Sequence, residues 1–328
     1  MIIRIMIAVT IVASLIWSGY WFYGSSLKRR TIENVIAELN EPGRRVGYSN
    51  ITLRGFPNRF DLTIQDPFYE DAAIAWSAPF LQVLSLSYQP YRFVFAFPDL
   101  QRVEWRGKAV DVTAESMRAS LSLHYRERPE LGAFIIEAEG IEFSGTSGWR
   151  HQFGNSLAAI QQSDGTENSY DLALRTRHHP GEAEPLPGNT TAAILANMTA
   201  VELDMDVTFD RAIDAEFCTG PEPLLTDLAL THASLRWPQS GIDLSGEFTN
   251  QNGGLTGTLT IDPGQSGFAA LLGTLPLGPR LGLMMLMIFE AVEATFGTDG
   301  APVTLDVSRG KLSFGDFEIV ALPGIEFC

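Results

Sequence analysis

Residues 201–209, VELDMDVTF, decide the fold. Val201, Leu203, Met205, Val207 and Phe209 stand at every second position, with Asp204 and Asp206 between them. A period of two is that of a half-buried strand, because successive Cβ atoms point to opposite faces of a sheet. The two aspartates resemble the opening of a calcium loop. Phe209 and Ala215, however, occupy the positions where such a loop needs Gly and Glu, so the aspartates read as the solvated face of the strand.

The same alternation recurs along the chain. Upstream it runs through Phe60, Leu62 and Ile64, through Tyr91, Phe93, Phe95 and Phe97, and through Met117, Ala119, Leu121, Leu123 and Tyr125. Downstream it runs through Ile242, Leu244 and Phe248, and through Leu255, Leu259 and Ile261. Clusters of Gly, Asn, Asp and Pro separate these runs, as turns require. Many strands in series with few helical windows predict antiparallel meanders: a mainly β body forming one large curved antiparallel sheet or an open barrel. The predicted helical exceptions are 154–162 and 268–296, where Pro276 and Pro279 separate a short piece from a longer one. Residues 177–190 are polar and rich in Pro and Gly, and read as a long loop or as the seam between two halves of a 31–328 body meeting near 150–200.

Residues 5–23, IMIAVTIVASLIWSGYWFY, hold no charge. At 1.5 Å per residue they span roughly 28 Å, close to the ~30 Å hydrocarbon core of a bilayer. The distal end collects Trp17, Tyr20, Trp21, Phe22 and Tyr23, rings that settle at a membrane interface, and Lys28, Arg29 and Arg30 follow. Residues 1–30 therefore read as a single-pass anchor with a basic flank. A cleaved signal peptide is the competing reading, with Gly24 and Ser26 placed for a cut before Leu27. The apolar run exceeds the usual 7–15 residues of a signal core, and bulky rings crowd the cut, so retention is expected. Leu27, Ile32, Val35, Ile36 and Leu39 then recur at helical spacing until Pro42 and Gly43, predicting a short amphipathic helix. Charge alone leaves the orientation open, because long domains translocate largely regardless of it.

The net charge is −16, from 23 Lys and Arg against 39 Asp and Glu. Four of the basic residues (Arg4, Lys28, Arg29, Arg30) lie in residues 1–30, where no acid stands, so residues 31–328 set 19 against 39, a balance of −20. Such a body repels phosphate, and nucleic acid is excluded as a partner. The five histidines, His124, His151, His178, His179 and His232, show no zinc spacing. The hydrolase elbow, the phosphate loop and the dinucleotide fingerprint are absent as motifs, and neither an enzyme nor a cofactor is expected.

Two stretches carry candidate sites. Residues 281–296, LGLMMLMIFEAVEATF, place nine uncharged residues before Glu290, too few for a second crossing. They predict a late helix on the concave face of the sheet, with Glu290 and Glu293 towards water and Met284, Met285, Met287 and Phe289 available to line a hydrophobic groove, although methionine is equally ordinary core filler and a core place is the safer reading. Arg54, Gly55, Phe56 and Pro57 could form a recognition loop, but Gly and Pro flanking an aromatic more often fix a turn and tuck one ring into the core. The turn is the expectation here.

RGFPNRFDLTIQDP (54–67) and WSAPFLQVLSLSYQP (76–90) resemble the bacterial family known as domain of unknown function 2125. Met117, Arg118, Ala119 and Ser120, and GKLSFGDFEIVALP (310–323), are similar to it too. The resemblance implies an inner-membrane protein with its main domain in the periplasm and no assigned activity. It implies more loosely a similarity to AsmA-like proteins, whose curved sheets offer lipids an apolar inner face. The membrane, through the N-terminal helix, and a lipid are the expected partners, with a packed structural protein that docks other envelope components as the alternative. On an oxidising side, Cys218 and Cys328 are candidates for a disulfide.

Overall fold

A computed structural model of the chain describes residues 1–105, 107–146, 148–166, 168–178, 198–217, 220–251, 254–264, 302–314 and 317–321. It divides into two compact units, the first comprising Met1–Ser122 and Phe143–Gly148, the second Leu123–Glu142 and Trp149–Cys328.

The first unit begins with one uninterrupted helix, α1 (Ile2–Leu39), in place of the separate anchor and amphipathic helix expected from sequence. Gly24, Ser25 and Ser26 do not break it. The strands that follow come as broken pairs: β1 (Arg45–Gly47) and β2 (Asn50–Arg54), β3 (Arg59–Gln65) and β4 (Phe68–Glu70), β5 (Ile74–Ser77) and β6 (Phe80–Leu86), β7 (Arg92–Ala96) and β8 (Leu100–Trp105), β9 (Lys108–Thr113) and β10 (Ser116–His124). One member of each pair joins the antiparallel ladder β2-β3-β6-β7-β10. The other joins the ladder β1-β4-β5-β8-β9.

Proline causes three of the breaks. Pro67, Pro79 and Pro98 stand where the chain leaves one ladder for the other, because a residue without an N–H cannot donate to the pairing it would continue. Two breaks lie side by side. The Asp66 N–H donates to the Pro79 carbonyl at 3.0 Å and the Ala78 N–H to the Pro67 carbonyl at 3.2 Å. Asp66 adopts φ +46°, a conformation Asp tolerates better than most residues, and accepts the Ser49 hydroxyl at 2.6 Å.

In the second unit β11 (Glu130–Glu139), β13 (Arg150–Gln162), β14 (Ser169–His178), β15 (Ala200–Phe209), β16 (Leu225–Arg236), β17 (Gly241–Gln251), β18 (Gly254–Asp262), β19 (Val303–Ser308), β20 (Lys311–Phe314) and β21 (Phe317–Ala321) pair in that order, every pair antiparallel. A short strand, β12 (Ile141–Gly145), lies between β11 and β13 in sequence. Among the described residues no pairing joins β11 to β21, so the ladder is open and not a closed barrel. The expected helix at 154–162 is part of strand β13. Ala158 and Ala159 are good helix formers, but such a propensity is worth less than about 1 kcal/mol per residue, and neighbours bonded on both edges, β11 and β14, override it. The expected late helix over 268–296 lies outside the described residues.

One face of this ladder is apolar from strand to strand. The registers set Ile136 beside Ala158, Leu174 beside Leu203, Met205 beside Leu230, Leu228 beside Phe248, and Leu259 beside Leu305. The opposite face carries Arg175, Asp204, Asp206, Asp243, Thr258 and Asp306. Two clusters occupy the apolar face. One gathers Trp237, Phe248, Leu305 and Val307, and the other Tyr170, Val207, Phe209 and Leu225. Tyr170 is fully buried and its hydroxyl accepts the Ile213 N–H at 2.8 Å. Burial pushes the phenol above its ordinary pKa. The solvated reading of the two aspartates agrees with the geometry: Asp204 pairs with Arg175 at 2.7 Å, and Asp206 accepts the Thr231 hydroxyl at 3.1 Å.

Candidate membrane-interface site

The first seventeen residues of the chain are exposed throughout. From there on the helix positions that are covered, Ser18, Trp21, Gly24, Ser25, Lys28, Ile32, Glu33 and Ile36, recur at three- and four-residue spacing and so lie on one side. The helix is bare along its apolar half and docked along the rest.

The docked side meets the ladder β2-β3-β6-β7-β10. Strand β3 alternates buried Phe60, Leu62 and Ile64 with more open positions, as a sheet with one covered face must. Ile32 and Ile36 pack against Ile51, Leu62 and Ile64. Trp21, only 6% exposed, stacks on Phe60 with ring centroids 5.7 Å apart and donates its indole N–H to the Arg59 carbonyl at 2.8 Å. Gly24 makes room for this. A Cβ there would stand 2.9 Å from the Phe60 ring.

Lys28 follows one turn further on. Its Nζ donates to the Ser85 hydroxyl at 2.5 Å and lies 5.1 Å and 4.9 Å from the ring centroids of Phe60 and Phe93. Burial holds the ammonium below its ordinary pKa, and the two ring faces offset part of that cost, since their quadrupoles attract a cation.

Two turns complete the junction. Trp17 donates its indole N–H to the Pro57 carbonyl at 3.0 Å, and Tyr20 donates its hydroxyl to the Ser87 carbonyl at 2.6 Å. The first turn holds the Arg54, Gly55, Phe56, Pro57 motif. It is a turn, as expected, and Gly55 supplies φ +105°. The ring it carries is not tucked into the core: Phe56 is 52% exposed, edge-on to Trp21 and stacked with Phe22, while Phe60 takes the buried place. A ring next to a turn is drawn to the largest apolar neighbour, and here that is the aromatic end of α1. Sequence reasoning read both motifs but could not join them, because a contact 40 residues apart leaves no periodic signal.

The other sequence candidates fall elsewhere. Met284, Met285, Met287 and Phe289, and both Cys218 and Cys328, lie outside the described residues. His151 is buried in β13, its ring centroid 5.4 Å from that of Trp149, and burial holds its imidazole below the ordinary pKa. Among the described residues no group of three or more His, Cys, Asp or Glu could hold a metal ion.

Helix α1 is long and apolar enough to cross a membrane, which is compatible with membrane association. No curated protein and no solved structure matches the chain. The profile of a bacterial family described as "uncharacterized protein conserved in bacteria", domain of unknown function 2125, matches residues 21–323, from the buried Trp21 of the junction nearly to the chain end, and the chain belongs to that family.

Proposed function

We propose that the protein is a membrane-tethered binding module of the bacterial envelope. Helix α1 stays in the inner membrane as a single-pass anchor, the β body lies on the periplasmic side, and the apolar face of the second unit takes a lipid or another hydrophobic ligand. No catalytic step belongs to this reading. Retention is supported by the docked half of α1. A cut before Leu27 would remove Trp21 and strip the cover from Phe60, one of the most buried side chains of the first unit.

One observation carries the ligand reading. Within the continuous apolar row, Leu174 remains 37% exposed, between half-buried Ala158 and Leu203 on the neighbouring strands. Aliphatic surface left open inside such a row is where a hydrocarbon chain gains most, at about 25 cal/mol per Å² covered. Mass spectrometry of the full-length protein, purified in detergent without added lipid, tests this. A stoichiometric lipid that disappears in Leu174→Asp, with the melting temperature unchanged, is the expected result. Absence of any lipid from the wild-type protein would contradict the reading and favour a packed protein that docks other envelope components.

A further inference from the structure

The ladder β2-β3-β6-β7-β10 has one end that faces the apolar part of α1. Two turns form it, residues 55–58 between β2 and β3 and residues 87–91 between β6 and β7. Hydrogen bonds to Trp17 and Tyr20 fix both turns at a level three to six residues before the apolar stretch ends at Tyr23. On a helix that interval is roughly 5–9 Å. A bilayer whose hydrocarbon core takes the bare helix up to about Trp17, with the aromatic end of the stretch at its boundary, has the two turns within its interfacial zone, the depth at which amphipathic groups settle.

The side chains at this end suit that depth. Phe56 is 52% exposed and Tyr88 62% exposed, and they continue the exposed rings of Trp17, Tyr20, Phe22 and Tyr23 on the helix. Behind them stand cations. Arg54, Arg59 and Arg92 lie at the same end of three strands, all on the ladder face opposite the one that α1 covers. Only Arg59 has an acidic partner, Asp61 at 3.0 Å. Arg54 and Arg92 are exposed, and no ion pair occupies either among the described residues. In a body with a balance of −20, three arginines against one acid, Asp61, next to exposed rings are out of keeping with the average surface.

We propose that this end of the first unit is a second membrane contact, which seats the body on a bilayer containing anionic lipid: Phe56 and Tyr88 enter the interfacial zone, and Arg54 and Arg92 meet lipid phosphates. The inference rests on the anchor reading above. It adds that the tether is not a free leash. The helix and the two turns together fix the tilt of the first unit on the membrane.

The test uses the full-length protein in vesicles of phosphatidylglycerol and phosphatidylcholine doped with a phospholipid whose diazirine sits near the headgroup. After illumination, adducts are mapped by peptide mass spectrometry. Adducts on residues 55–58 and 87–91 as well as on α1, with none on the far turn at residues 71–73, are expected. Adducts on α1 alone would overturn the second contact and leave the anchor standing, whereas none on α1 would overturn both. Reversing two charges, in Arg54→Glu with Arg92→Glu, leaves the buried junction intact. It should lower the yield on residues 87–91 by roughly fivefold or more in anionic vesicles, and by much less in pure phosphatidylcholine. An equal yield in both would overturn the role of the arginines.

Discussion

Trp21 joins the two physical environments of the chain. It belongs to the apolar run by sequence and to the body by contact, and its indole both stacks on Phe60 and satisfies the Arg59 carbonyl. Trp21→Ala should therefore cost about 3–5 kcal/mol, as truncation of a buried large aromatic does. Trp21→Phe keeps most of the packing and loses one hydrogen bond, so about 1 kcal/mol is expected. Thermal unfolding of the two variants in detergent checks the difference. His151 gives a pH dependence with a definite sign. Its folded imidazole binds a proton at lower pH than the ordinary value near 6.5 of an unfolded chain. Its contribution to stability is therefore full above that value and falls as the pH drops below it towards the lowered folded pKa. Denaturant midpoints measured between neutral and mildly acidic pH should fall for the wild type, and less for His151→Phe. Equal slopes would show that the histidine is not held neutral.

At the scale of elements, what could be read in advance followed from period and punctuation. The strand at 201–209 was legible because every second residue is apolar, and the runs at 242–248 and 255–261, which join the same apolar row, were legible for the same reason. The prolines in the 54–67 and 76–90 motifs were legible as punctuation, although not as the points where a strand crosses from one ladder to another. Residues 154–162 were misread, since Leu157, Ala158, Ala159 and Ile160 carry no alternation and only pairing on both edges makes them a strand. Glycine marks the closest approach of two strands. At Gly257, opposite Phe248, an added Cβ would stand 1.9 Å from the Glu247 carbonyl oxygen, and backbone would have to move. Gly257→Val should destabilise the second unit by about 3 kcal/mol or more, at the upper end of overpacking. Amide hydrogen exchange should show the loss first along β17 and β18. Unchanged protection there would contradict the register.

For the whole molecule, the central claim is that α1 is both anchor and structural element. The bare half is free of charge from residue 5 to residue 17, and the covered half contributes Trp21, Lys28, Ile32 and Ile36 to the first unit. Sequence suggested the anchor from length and aromatic content, but it could not show the dependence of the body on the helix, which arises only when Phe60 and Leu62 of a later strand come to lie under it. The proposed ligand is not legible in the sequence, because an apolar strand face looks the same whether a core or a lipid covers it. The intact mass of the protein extracted from native membranes tests the claim most directly. The account predicts the full 36.0 kDa chain, with residues 1–26 present, and a mature protein beginning at Leu27 would contradict it.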